Sequence, residues 1–227
     1  QGSVPVTLTE TQVAGSCPGS YVLTRTWTAT DGCGNSTSSS QDVAVMDTFD
    51  PMLVGVPGDV SVECDAVPAP AAVTSSDTCD TSVPVTFVET QTNGSCPDEY
   101  TLTRSWTAVD DCSNDVTASQ IVTVQDTVAP SISCPDHTTL ECPADTSAAA
   151  NGTASGADNC GTVTISSSDA SVAGCGATQT ITRTWTAADD CGNASPCVQF
   201  VAVVDTTAPA LSGVPADASA ECDAVPA

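Results

Sequence analysis

Thr24-Arg25-Thr26-Trp27, Thr103-Arg104-Ser105-Trp106 and Thr182-Arg183-Thr184-Trp185 recur at a step of 79 residues. A step of that size marks an array of small domains rather than one continuous fold. The three arginines are the only Lys or Arg residues in the chain, and the three tryptophans its only indoles. One positive charge per repeat, always two residues before the only Trp, reads as a structural device copied by duplication. Asp47-Thr48, Asp126-Thr127 and Asp205-Thr206 keep the same step. So do Cys17, Cys96 and Cys175, and Cys33, Cys112 and Cys191. With Asp-Thr as the start of a unit, residues 47–125 and 126–204 are complete repeats. Residues 1–46 are a repeat lacking its opening strands, and residues 205–227 are the opening strands of a further one. Glu63 to Ala69 returns unchanged as Glu221 to Ala227.

Tyr100, Leu102, Arg104, Trp106 and Ala108 alternate with Thr101, Thr103, Ser105 and Thr107, the period of a half-buried β-strand. Leu23–Ala29 and Ile181–Ala187 repeat the pattern. Further strands are expected at Met52–Val56, Val60–Glu63, Val83–Glu89 and Ser119–Val124, with turn residues between them and no helical periodicity. The expected fold is all-β: tandem immunoglobulin-like β-sandwiches of about 79 residues, stapled by disulfides.

Arg25, Arg104 and Arg183 share a strand face with Trp27, Trp106 and Trp185. Each guanidinium can therefore lie over its indole, and if buried it needs a carboxylate. Glu10 and Glu89 occupy one repeat position on the neighbouring strand, with Asp169 nearby in the third repeat, and Glu63, Glu141 and Glu221 form another repeated set. Each Trp is expected to be buried.

Thirteen cysteines at repeated spacings imply disulfides and an oxidising, extracellular or cell-surface setting. Spacing pairs Cys17 with Cys33, Cys96 with Cys112 and Cys175 with Cys191. A second class is Cys64 with Cys79 and Cys142 with Cys160. The extra Cys134 and Cys197 pair with each other, which leaves Cys222 unpaired or intersubunit. One His and no CxxC pair argue against a zinc site.

The formal net charge of −25 disfavours nucleic acid and anionic lipid as partners, and no run is long enough for membrane insertion. The acidity favours bound cations or a saline medium. Asp47, Asp126 and Asp205 at the joints, with Asp110-Asp111 and Asp189-Asp190 after the Trp strands, are candidate Ca²⁺ ligands. No complete DxDxDG loop is present, so the ordinary alternative is turns in which Asp and Asn cap their own backbone. Asn35, Asn93, Asn151 and Asn193 head glycosylation sequons. No constellation of catalytic residues stands apart from the repeat, so an enzyme is not expected.

Asp126-Thr127-Val128-Ala129-Pro130, Ile132-Ser133-Cys134-Pro135, Ala157-Asp158-Asn159-Cys160 and Thr184 to Asp189 with Cys191-Gly192-Asn193 resemble the hyalin-repeat (HYR-like) domains of large secreted surface proteins. Val60 to Ala69 is similar to a variant in secreted proteins of Bacteroidetes-like organisms. The resemblance implies an immunoglobulin-like fold and a role in adhesion or extracellular scaffolding, with no catalytic residues. The function expected is a structural protein whose copies stack head to tail into a fibre, residues 205–227 of one copy complementing residues 1–46 of the next. The alternative is a stalk or adhesin segment of a larger surface protein.

Overall fold

The computed structural model describes residues 3–221. Three long antiparallel strands begin it: β1 (Val6–Ala14), β2 (Tyr21–Thr30) and β3 (Ser36–Val45), paired in the order β1-β2-β3. The second repeat adds β4 (Met52–Val54), β5 (Val60–Glu63), β6 (Thr74–Ser76), β7 (Val85–Asn93), β8 (Tyr100–Val109) and β9 (Asp115–Gln125). Here β7, β8 and β9 reproduce the antiparallel trio, and β5 extends it by pairing in parallel with β9. A separate β4-β6 pair forms the second layer, β4 packing against β8 and β9. The third repeat follows the same plan with β10 (Ser131–Ser133), β11 (Thr138–Glu141), β12 (Ser155–Ala157), β13 (Thr164–Ala173), β14 (Gln179–Ala188) and β15 (Ala194–Val204). Its one addition is a single helical turn, α1 (Ala148–Asn151), where the Ser147 hydroxyl accepts from the Ala150 amide. That cap accounts for a helix the strand-like periodicity does not foretell.

The chain forms two compact units that cut across the sequence repeats. The first runs through Ala129 and includes the loops Asp158–Val163 and Asp189–Asn193. The second holds Pro130–Ala157, Thr164–Ala188 and the chain from Ala194.

On β8 the alternation behaves as expected: Leu102, Arg104, Trp106 and Ala108 are buried. Leu102 packs with Val122 and Val124 of β9, and Val62, Cys64, Val67 and Tyr100 close over them. The arginine of each repeat faces an acid across the strand pair. Glu10 is opposite Arg25, Glu89 opposite Arg104, and Asp169 opposite Arg183. The Nε–carboxylate distances are 2.8, 2.7 and 2.7 Å. Arg104 also donates to the Pro68 carbonyl and Arg183 to the Thr146 carbonyl, at 2.7 and 2.8 Å. The other repeated acid does different work: Glu63 accepts from the hydroxyl and amide of Thr127, and Glu141 from those of Thr206.

Two expectations need correction. Only Trp106 and Trp185 are buried, at 2% and 4% exposure, whereas Trp27 is 37% exposed. The β1-β2-β3 sheet has no second layer over its Trp face among the described residues, and no parallel strand beside β3. Val6 and Leu8, on the same face, are exposed with Trp27. The second correction concerns cation–π contact: Arg183 lies 5.9 Å from the Trp185 ring centre, the one such pair among the described residues. Trp106 packs instead against Phe87, its cross-strand partner, at 5.3 Å between centroids.

Candidate functional site: staggered disulfides and carboxylate joints

A ten-residue strand spans roughly 34 Å, and this fixes where the cysteines can meet. Cys17 precedes β2 and Cys33 follows it, so they lie at opposite ends of the sheet. The same holds for Cys96 and Cys112 about β8, and for Cys175 and Cys191 about β14. A disulfide needs Cα atoms within about 7 Å, so the local pairs read from spacing cannot form. Strand direction separates the second class in the same way. Cys64 leaves β5 at the end of the sheet where β9 finishes, whereas Cys79 precedes β7 at the other.

The bonds step instead from one repeat to the next. They join Cys17 to Cys112, Cys64 to Cys160 and Cys96 to Cys191, with sequence separations of 95, 96 and 95. Their Cα–Cα distances are 5.1, 6.0 and 5.1 Å. Each ties a loop at one end of a sheet to a loop from the opposite end of the following repeat. Only Cys134–Cys197 joins the partners that spacing assigned. Cys33, Cys79, Cys142 and Cys175 are free thiols, and all but the half-buried Cys142 are exposed. Cys222 lies outside the described residues.

Acids gather beside these bridges. Asp47, Asp80 and Asp110 present carboxylate oxygens within 4.8 Å of one another, and so do Asp126, Asp158 and Asp189. Asp47 and Asp126 are 6% and 4% exposed. In Asp110 one oxygen accepts from the amides of Cys112 and Asn114, and the other from the Asn114 side chain. Asn114 and Asn193 also donate to the carbonyls of Asp47 and Asp126, tying each turn to its joint. Backbone capping is therefore real, yet it leaves acceptors over: Oδ2 of Asp47, Asp126, Asp158 and Asp189 is buried with no hydrogen-bond partner. Burial pushes the Asp126 carboxyl up from its ordinary value, reinforced by the negative charges of Asp189, Asp158 and Glu63. At Asp110 and Asp189 burial acts in the same direction, but the Asn114 and Asn193 hydrogen bonds outweigh it and the net shift is downward.

Of the acids named from sequence, Asp47 with Asp110 and Asp126 with Asp189 come together. Asp111 and Asp190 do not join them: the Asp111 amide donates to Asp80, and Asp190 accepts from Thr162. One oxygen of Asp205 caps the Thr207 amide. Sequence reading missed Asp80 and Asp158. Their signal was present in the Asp-Thr-Cys-Asp and Asp-Asn-Cys turns, which carry an acid beside each bridging cysteine. It also missed Gln120 and Gln199, whose amides donate to the carbonyls of Gly58, just before β5, and of Asp136, just before β11, and Asn151 in α1. His137 caps a strand edge, Nδ1 accepting from the Phe200 amide.

The sequons divide. Asn151 is buried and its amide donates to the Asp145 and Ser147 carbonyls, so it is no glycan acceptor in the folded chain. Asn35 and Asn193 commit their amides to Asp31 and to the Asp126 carbonyl. Asn93 is exposed.

No family model matches the chain, and no curated protein does. Among solved structures it is similar to the protocadherin gammaB7 EC3-6 cis-dimer structure. The identity is 13% and the TM-score 0.35, over 90% of this chain and 68% of that one. It is also similar to protocadherin gamma B2 extracellular cadherin domains 1-5, at 14% and 0.35 over 82% and 46%. Drosophila N-cadherin EC1-4 follows at 12% and 0.32, over 82% and 58%. No helix among the described residues is long and apolar enough to cross a membrane.

Proposed function

We propose that this is an extracellular structural protein whose copies polymerise head to tail by strand complementation. The observation that carries the reading is the uncovered Trp27 face of the β1-β2-β3 sheet. An apolar sheet face beside an unpaired edge strand is costly in water and invites addition of a strand from outside. The chain carries a segment of matching kind. Pro209 to Pro215 parallels Pro51 to Pro57, the stretch that contains β4. Gly213 holds a positive φ of 75°, as Gly55 does at 90°, a conformation glycine adopts without strain. Leu211 and Val214 stand exposed, at 90% and 69%. Seated on the first sheet of another copy, this segment supplies the missing layer. A contact between two different surfaces repeats head to tail, and where its rotation closes no ring it produces a fibre. The disulfides support an oxidising extracellular location. They suit a load-bearing role, since force passing between repeats runs through covalent bonds.

Truncation tests this. The full chain should form long uniform fibres by negative-stain microscopy, and a chain ending at Val204 should stay dispersed with its second and third sandwiches folded. Identical fibres from the truncated chain would sink the reading.

The joints suit a hard divalent cation, Ca²⁺ foremost, because their donors are carboxylate oxygens with acceptors left over. A cation there would neutralise acids that otherwise repel one another. At a Ca²⁺ concentration a hundred times the dissociation constant, stability should rise by about 2.7 kcal/mol. The rise should vanish with EDTA and shrink in Asp126→Asn. Superimposable melting curves with Ca²⁺ and with EDTA would count against a cation at these joints.

A further inference from the structure

Resting on the head-to-tail reading, we infer that Cys175 of one copy forms a disulfide with Cys33 of a second copy. The two thiols are the unmatched members of one series. Cys17, Cys96 and Cys175 occupy the loop before the Trp strand in the three repeats, and Cys33, Cys112 and Cys191 the turn after it. The structure bonds Cys17 to Cys112 and Cys96 to Cys191, always from the loop of one repeat to the turn of the next. That rule uses every member except Cys175, whose partner is a turn cysteine one repeat further on, and Cys33, whose partner is a loop cysteine one repeat earlier. Both are exposed free thiols.

The surface beside Cys175 is recessed. A groove of about 370 Å³ opens there, lined by Val172, Gly174, Thr178, Gln179, Ala202 and Asp205. The equivalent groove beside Cys96, lined by Gly94, Glu99, Tyr100, Thr123 and Gln125, measures about 170 Å³. Near Cys96, Gly161 lies so close to Asp98 that a side chain there would collide with it. The groove beside Cys175 is the wider of the two. A second copy of this chain fits it best, because the turn Asp31-Gly32-Cys33-Gly34-Asn35 has the build of the turns that already carry Cys112 and Cys191. Asp31 accepts from the Cys33 and Asn35 amides as Asp110 and Asp189 accept from theirs.

The bond requires an oxidant, and a low-molecular-weight disulfide serves. One cysteine thiolate attacks it, forming a mixed disulfide and releasing one small thiol. The second thiolate then displaces the other small thiol. Two protein thiols and one small disulfide become one protein disulfide and two small thiols, the two thiol protons passing to the released thiolates.

The full chain, assembled with glutathione disulfide, gives the test. Non-reducing electrophoresis should show a ladder at multiples of 22.6 kDa that collapses on reduction. Mass spectrometry of unreduced digests should find the Cys33 and Cys175 peptides linked. Cys33→Ser should remove that linkage and shorten the ladder, while fibres still form under the microscope. Fibres in which Cys33 and Cys175 remain alkylatable, or in which Cys175 is bonded to Cys142 of its own chain, would overturn the inference and leave the polymer standing. Absence of fibres from the unmodified chain would overturn both.

Discussion

Trp106→Ala should destabilise the second sandwich by about 3–5 kcal/mol, whereas Trp27→Ala should cost the unassembled chain under about 1 kcal/mol. The two residues occupy the same place in the same motif, and they differ only in what covers them. Trp106 is enclosed by Phe87 and its own sheet beneath the β4-β6 layer, while Trp27 faces water beside Leu8. The arginines follow suit. Arg104 is buried against Glu89 and the Pro68 carbonyl, while the side chains of Arg25 and Glu10 are 41% and 45% exposed. An exposed ion pair of that kind contributes about 0–1 kcal/mol. Denaturant midpoints of the two Trp variants measure the contrast. Equal losses would mean that the first sheet is covered after all.

Cys191→Ser should cost about 4–5 kcal/mol, because the Cys96–Cys191 bond closes a loop of 95 residues and long loops lose most entropy on closure. Cys33→Ser, at an exposed free thiol of the same series, should leave the unassembled chain unchanged. The comparison isolates the staggered bond from the chemistry of substitution. If Cys191→Ser melts with the parent, the bond contributes nothing to stability.

The strands were legible because burial on one face of a sheet imposes a period of two, and Leu102 to Ala108 obeys it residue by residue. The cross-strand acid at Glu10 and Glu89 was legible for the same reason, since equal repeat positions occupy equal registers. The disulfides were not, although the information was present. A sixteen-residue spacing suggests a local loop only until the intervening residues are read as an extended strand. At that point the strand's length forbids the bond, and the partner must come from another repeat. The carboxylate joints were half legible. Asp47, Asp110, Asp126 and Asp189 keep the 79-residue step, but Asp80 and Asp158 do not occupy equal repeat positions, so periodicity could not select them. Trp27's exposure depends on which strands are present to cover it, and a motif copied faithfully carries no sign of that.

In the proposed polymer, the chain from residue 205 of one copy completes the first sheet of the next. Hydrogen–deuterium exchange on dispersed chain and on fibres tests it most directly. Amides of 210–221 and of the β3 edge should exchange freely in the dispersed chain, and in fibres they should slow by at least about a hundredfold, an opening free energy near 2.7 kcal/mol. Fibres in which both stretches still exchange freely would contradict the account. So would a dispersed chain in which both are already protected.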